Sequence, residues 1–283
     1  MDVVTIIIAV LVGVGIGVLS GMLGIGGGTV MVPVFKLGFG MTAIGSTATS
    51  LFAIIPTAIS GSITHVRQKT CIPKLGVLAG VGGACMSPVG VWLASQSQGW
   101  MIMLAAAIVI GYSSYTMFRK ALKAPKTGSS RGASGESPAD RGGDSPEAPG
   151  RRAETEYGVD PKRLWLGLPI GIVAGLVAGY VGVGGGFLMV PLFLSVLGVD
   201  MKHASGSSLL AIAILSTPGA ITQILMGNVA IAVAIAVVVG SVPGALLGAR
   251  LMTRIPEREL RFLFAGVLLV AAIMLVLQEV GVF

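Results

Sequence analysis

Two short glycine runs carry the chemistry this sequence offers. Gly24-Ile-Gly-Gly-Gly28 and Gly182-Val-Gly-Gly-Gly186 each lie inside a long apolar stretch. An interior glycine costs a helix about 0.5–1 kcal/mol relative to alanine, so both runs are expected to interrupt a helix. Apolar residues follow each run, with Pro33 and Pro191 close behind, as expected of half-helices that start at mid-membrane. Such a start presents free N–H groups and the positive end of the helix dipole, an anion site that needs no charged side chain. The candidate binding residues are therefore Gly26, Gly27 and Gly28 with Gly184, Gly185 and Gly186. The hydroxyl pairs Thr49-Ser50 and Ser207-Ser208 join them, because the pair recurs at matched positions. Each feature has a plainer use. Membrane glycines let helices approach closely, and helical Ser and Thr bond back to the preceding turn. Recurrence of the triple glycine and of the hydroxyl pair favours binding.

Missing residues narrow the chemistry further. No Asp or Glu lies in any of the apolar windows 3–35, 43–65, 75–118, 164–199, 204–249 and 262–278. Carriers of cations or protons keep intramembrane carboxylates, whereas hydroxyls, amides and helix ends suit an anion. Lys36, His65 and His203 are the basic side chains near these segments. There is no Walker lysine, HExxH run or nucleophile–base constellation, so neither a nucleotide-binding loop nor an enzyme is expected. Cys71 and Cys85 have no metal or redox spacing, and no metal or cofactor is expected.

The elements that must position these residues come in two copies. GMLGIGGGTVMVPVF at 21–35 returns as GYVGVGGGFLMVPLF at 179–193, identical at nine of fifteen positions and offset by 158. Matches continue at that offset through Ser50/Ser208, Leu51/Leu209, Gly61/Gly219 and Thr64/Thr222. Charged residues are 11% of the chain and hydrophobic ones 54%, far from the roughly 25% charge of soluble domains. A span needs about 20 apolar residues, so the longer windows each hold two segments. The expected organisation is a first transmembrane repeat over 1–119, a linker over 120–163 and a second repeat over 164–283. The linker is rich in Gly, Ser, Pro and mixed charge, which cannot bury enough apolar surface to fold alone, so it is expected to be flexible. Met1-Asp2 brings no basic segment and no A-x-A site follows, so the first apolar stretch is expected to remain in the mature protein.

Charge placement orients the copies. Ten of the nineteen Lys and Arg lie in 119–163, and most others at 67–74 and 250–261. The net charge of +7 therefore reads as basic loops on the cytoplasmic side of a membrane rather than as a nucleic-acid surface. Those basic loops share one side only if 3–38 and 164–199 each enter and leave by the same face. The two repeats are then inverted. A single kinked crossing per glycine run would make them parallel and leave Arg250–Arg261 outside. The expected fold is thus an all-α polytopic membrane protein of two repeats, inverted, each with a glycine-interrupted helix. Duplicated, interrupted segments of this kind belong to secondary transporters, whose site forms where the halves meet.

The doubled motif, followed in each half by a small-residue Ser/Thr stretch (GSTATSLFA and ASGSSLLAI), resembles the TauE/SafE family of sulfite and organosulfonate exporters. The resemblance covers both halves and excludes the linker. It implies a multi-pass permease of the bacterial or archaeal inner membrane, partnered by lipid and by a small anionic substrate such as sulfite or an organosulfonate. The expected function is a permease that exports such anions by alternating access at a site between the two glycine loops, the alternative being an anion channel or a transporter of another small organic anion.

Overall fold

The computed structural model describes residues 3–123 and 161–279, and most of the expected linker lies outside the described residues. The chain runs α1 (Val3–Leu23), α2 (Gly28–Phe39), α3 (Ala43–Arg67), α4 (Pro73–Gln96), α5 (Gly99–Lys123), α6 (Pro161–Leu164), α7 (Gly167–Val181) and α8 (Gly186–Leu192). A wide π turn (Phe193–Leu197), α9 (Met201–Leu225), α10 (Ile231–Met252) and α11 (Glu257–Glu279) follow. Among the described residues, seven helices are long and apolar enough to cross a membrane: α1, α3, α4, α5, α9, α10 and α11. At 1.5 Å per residue, the 25 residues of α3 or α9 reach about 37 Å, enough for a hydrocarbon core of about 30 Å.

Polarity is arranged for lipid. Trp92, Ile108, Val173 and Leu225 are exposed, whereas Thr49, Ser50, His65, Ser207, Ser208 and Gln223 are buried. An aqueous surface would not carry so much contiguous apolar area. The protein is a polytopic membrane protein, all-helical among the described residues.

Two ladders of small residues join the halves. Gly13, Gly17 and Gly21 of α1 face Val237, Ser241 and Ala245 of α10, in that order, so these helices run the same way. Gly171, Gly175 and Gly179 of α7 face Ala79, Gly83 and Ser87 of α4, the same three pairs displaced by 158. The approach is close. A Cβ placed on Gly17 would lie 2.2 Å from the Ser241 carbonyl oxygen. Without a hydrophobic force between helices in lipid, van der Waals contact of this kind holds them together. Side-chain bonds tie α3 to α10 as well, with Thr57 and Ser241 hydroxyls 2.6 Å apart and Ser60 donating to the Val242 carbonyl at 2.8 Å.

The helices α3 and α9, which hold matching places in the two halves, cross in opposite directions at the centre. Going up α3, Ile54, Gly61 and His65 meet Ile212, Leu209 and Gly206 of α9 going down. α5 and α11 also oppose one another: Ser114 donates to the Ala265 carbonyl at 2.8 Å, and Phe118 stacks edge-on with Phe262. Pro191 interrupts the ladder of α8 as it enters the π turn. Its carbonyl accepts from Lys120 Nζ at 2.9 Å and from Ser195 Oγ, neighbours of the kind that make a membrane proline tolerable.

Candidate functional site

The glycine runs form the turns Gly24–Gly27 and Gly182–Gly185, which join α1 to α2 and α7 to α8. Three glycines in each have positive φ: Gly24, Gly26 and Gly27 at 73°, 82° and 81°, and Gly182, Gly184 and Gly185 at 75°, 81° and 73°. Residues with a Cβ pay about 1–2 kcal/mol in this region, which is why the runs are glycine. Gly27 and Gly185 are the N-caps of α2 and α8.

The turns meet at the middle of the molecule. Gly26 and Gly184 both pack against Ile54 and Ile212, the midpoints of α3 and α9. Gly28 abuts the Val183 carbonyl, and Gly186 abuts the carbonyls of Gly24 and Ile25. The sequence-predicted residues Gly26, Gly28, Gly184 and Gly186 are thus brought together, whereas Gly27 and Gly185 face α1 and α7 of their own halves; all six are buried. Among the described residues, none of their six N–H groups makes a hydrogen bond; the bonds at the helix starts run from Val30, Met31, Leu188 and Met189. Buried N–H groups without partners are rare enough to require a reason.

The predicted hydroxyls have partners. Ser208 donates to the carbonyls of Gly24 and Ser205, both at 2.8 Å, and Ser50 donates to those of Gly182 and Thr47. Thr49 accepts from the Ala230 N–H at 3.1 Å, and Ser207 accepts from the Ile72 N–H at 2.9 Å. Every one of these cross-links has its counterpart 158 residues away. The four hydroxyls therefore position backbone: two hold the glycine turns by their carbonyls, and two satisfy the starts of α10 and α4. His65 has a similar task, with Nε2 2.8 Å from the Gly21 carbonyl and Nδ1 2.8 Å from Thr70 Oγ1. At the matching place, Gln223 accepts from Asn228 at 2.8 Å.

Two residues beside the first turn escaped the sequence reading. Ser20 and Thr29 are buried, and their hydroxyls have no hydrogen-bond partner. The signal for them was a hydroxyl on each side of the glycine run, where the second copy has Ala178 and Phe187. A cavity of about 780 Å³ lies elsewhere, between α2 and α11. It is lined by apolar residues such as Val30, Pro33, Leu263 and Val267, and its chemistry suits lipid rather than an anion.

The two glycine turns and the buried hydroxyls that hold them lie inside a bundle of apolar, membrane-length helices. The model of the sulfite exporter TauE/SafE family matches residues 9–275, and the chain belongs to that family. It is also 25% identical over 230 residues to the probable membrane transporter protein YunE of Bacillus subtilis (strain 168), covering 79% of this chain and 80% of that one. No solved structure matches the chain. The protein is a membrane transporter and not an enzyme.

Proposed function

We propose that the protein exports small anions, sulfite or organosulfonates, through a site where the two glycine turns meet. The observation that carries this reading is the six unbonded, buried glycine N–H groups, gathered from both halves at the centre of the bundle. Their positive ends, with no carboxylate in the spanning segments, favour a negatively charged ligand.

The two halves form inverted repeats. Supporting this, α3 and α9 are equivalent by sequence and run antiparallel, as do α5 and α11. With α1 parallel to α10, and α10 parallel to α3, the α1–α2 unit returns to the side it entered from. The positive-inside bias then places the linker, Arg67 and Arg254 in the cytoplasm. Rocking one hairpin against the other would open the site to alternate sides, the motion expected of inverted repeats.

A panel of sodium salts tested for thermal stabilisation of the detergent-solubilised protein examines the anion reading. Sulfite or methanesulfonate should raise the unfolding temperature saturably, since a ligand at 100 times its dissociation constant adds about 2.7 kcal/mol. Equal effects from sodium chloride at matched ionic strength would refute a site for sulfite or sulfonates.

A further inference from the structure

The two turns match in backbone but not in what surrounds them. On the first, Ser20 is 1% exposed and Thr29 is 0% exposed, and neither hydroxyl has a partner. Ser20 stands in the last turn of α1, facing the glycine run: a Cβ placed on Gly27 would lie 3.5 Å from Ser20 Cβ. Thr29 is in the first turn of α2, directly after Gly28. On the second turn the matching positions are Ala178 and Phe187, both fully buried hydrocarbon. There a Cβ on Gly185 would meet the Ala178 methyl at 3.3 Å. The helices differ as well. α2 runs for 12 residues, whereas α8 runs for 7 before the π turn.

We propose that Ser20 and Thr29, with the N-terminal N–H groups of α2, form a one-sided binding site for the oxyanion head of the substrate. The second turn adds its glycine N–H groups but no hydroxyl, since Ala178 and Phe187 flank it. This rests on the anion reading above and adds to it that one anion binds per chain, on the first half. A hydroxyl is the right donor here, because it adds a hydrogen bond to a multi-oxygen head without adding a charge that would trap the ligand. Binding there also gives partners to the Ser20 and Thr29 hydroxyls, two of the buried hydroxyls that lack one, which cost stability when left without a ligand.

The test measures affinity for sulfite and methanesulfonate by ligand-dependent unfolding and by titration calorimetry on the purified full-length protein. Ser20→Ala and Thr29→Val remove one hydroxyl each at nearly constant volume. Each should weaken binding about 10-fold or more, since the lost bond is to a charged group. The ligand-free unfolding temperature should stay level or rise, because each change removes an unsatisfied buried group. Thr29→Ser, which keeps the hydroxyl, should retain affinity, and wild type should bind one anion per chain. Undiminished affinity in both hydroxyl-free variants, or two anions per chain, would overturn this inference and leave the anion reading standing. No binding of either anion by wild type would overturn the anion reading itself.

Discussion

Ser208 donates a hydrogen bond to the carbonyl of Gly24, 184 residues away, at 2.8 Å. Ser50 makes the same bond in reverse, to Gly182. Each half thus holds the other half's glycine turn in its left-handed geometry, with the turn's N–H groups left over. The shape of the two turns is a property of the pair.

Ser208→Ala and Ser50→Ala test this coupling. Each removes the donor from a buried carbonyl, which costs about 1–3 kcal/mol. Unfolding temperature should fall in both single variants, by similar amounts. If neither falls, the turns are held by packing alone.

Glycine has two separable duties here. Gly27→Ala forces a Cβ into φ 81° and should abolish transport while the protein still reaches the membrane. Gly17→Ala should separate α1 from α10, because the added carbon would overlap the Ser241 carbonyl, and should lower stability. Gly15→Ala is the control: nothing lies within 4 Å of the added carbon, so transport and stability should be kept. Equal loss of stability in Gly27→Ala and Gly17→Ala, with Gly15→Ala unaffected, would show that the turn glycine also serves only packing.

Much of this was legible in the sequence, and the part that was not has a physical reason. Period and hydropathy located the spans, and the doubled GIGGG/GVGGG located both turns, because an unbroken glycine run has few uses in lipid. The hydroxyl pairs were found, but their bonds were not. Whether Thr49 faces a ligand or the Ala230 N–H depends on which helices pack together, and that is a long-range fact. The ladders of Gly13, Gly17 and Gly21 were readable as a four-residue spacing, although the louder run at 24–28 drew the reading away from them. Ser20 and Thr29 stood out only as differences between the copies.

Orientation can be read with single cysteines in a background lacking Cys71 and Cys85. Cysteine at Gln98 or Asn228 should react with an impermeant thiol reagent from outside, and cysteine at Arg67 or Arg254 should not. Native Cys71, if kept, should label slowly even in permeabilised cells, because burial pushes its thiol up to about 11. External labelling at Arg254 with protection at Arg67 would establish parallel repeats.

Deleting 128–156 should leave transport close to wild type. The segment is polar, and the cost of closing a loop changes slowly with its length. Uptake assays on membranes with matched protein levels decide it. Lost transport in a correctly inserted variant would give the linker a further task.

The most direct measurement is counterflow in proteoliposomes with radiolabelled sulfite. An alternating-access carrier loaded inside with unlabelled sulfite should take up label faster than empty vesicles, saturate with concentration, and lose both behaviours in Gly27→Val. Flux that rises linearly, ignores internal sulfite and persists in Gly27→Val would contradict a carrier whose site lies at the glycine turns.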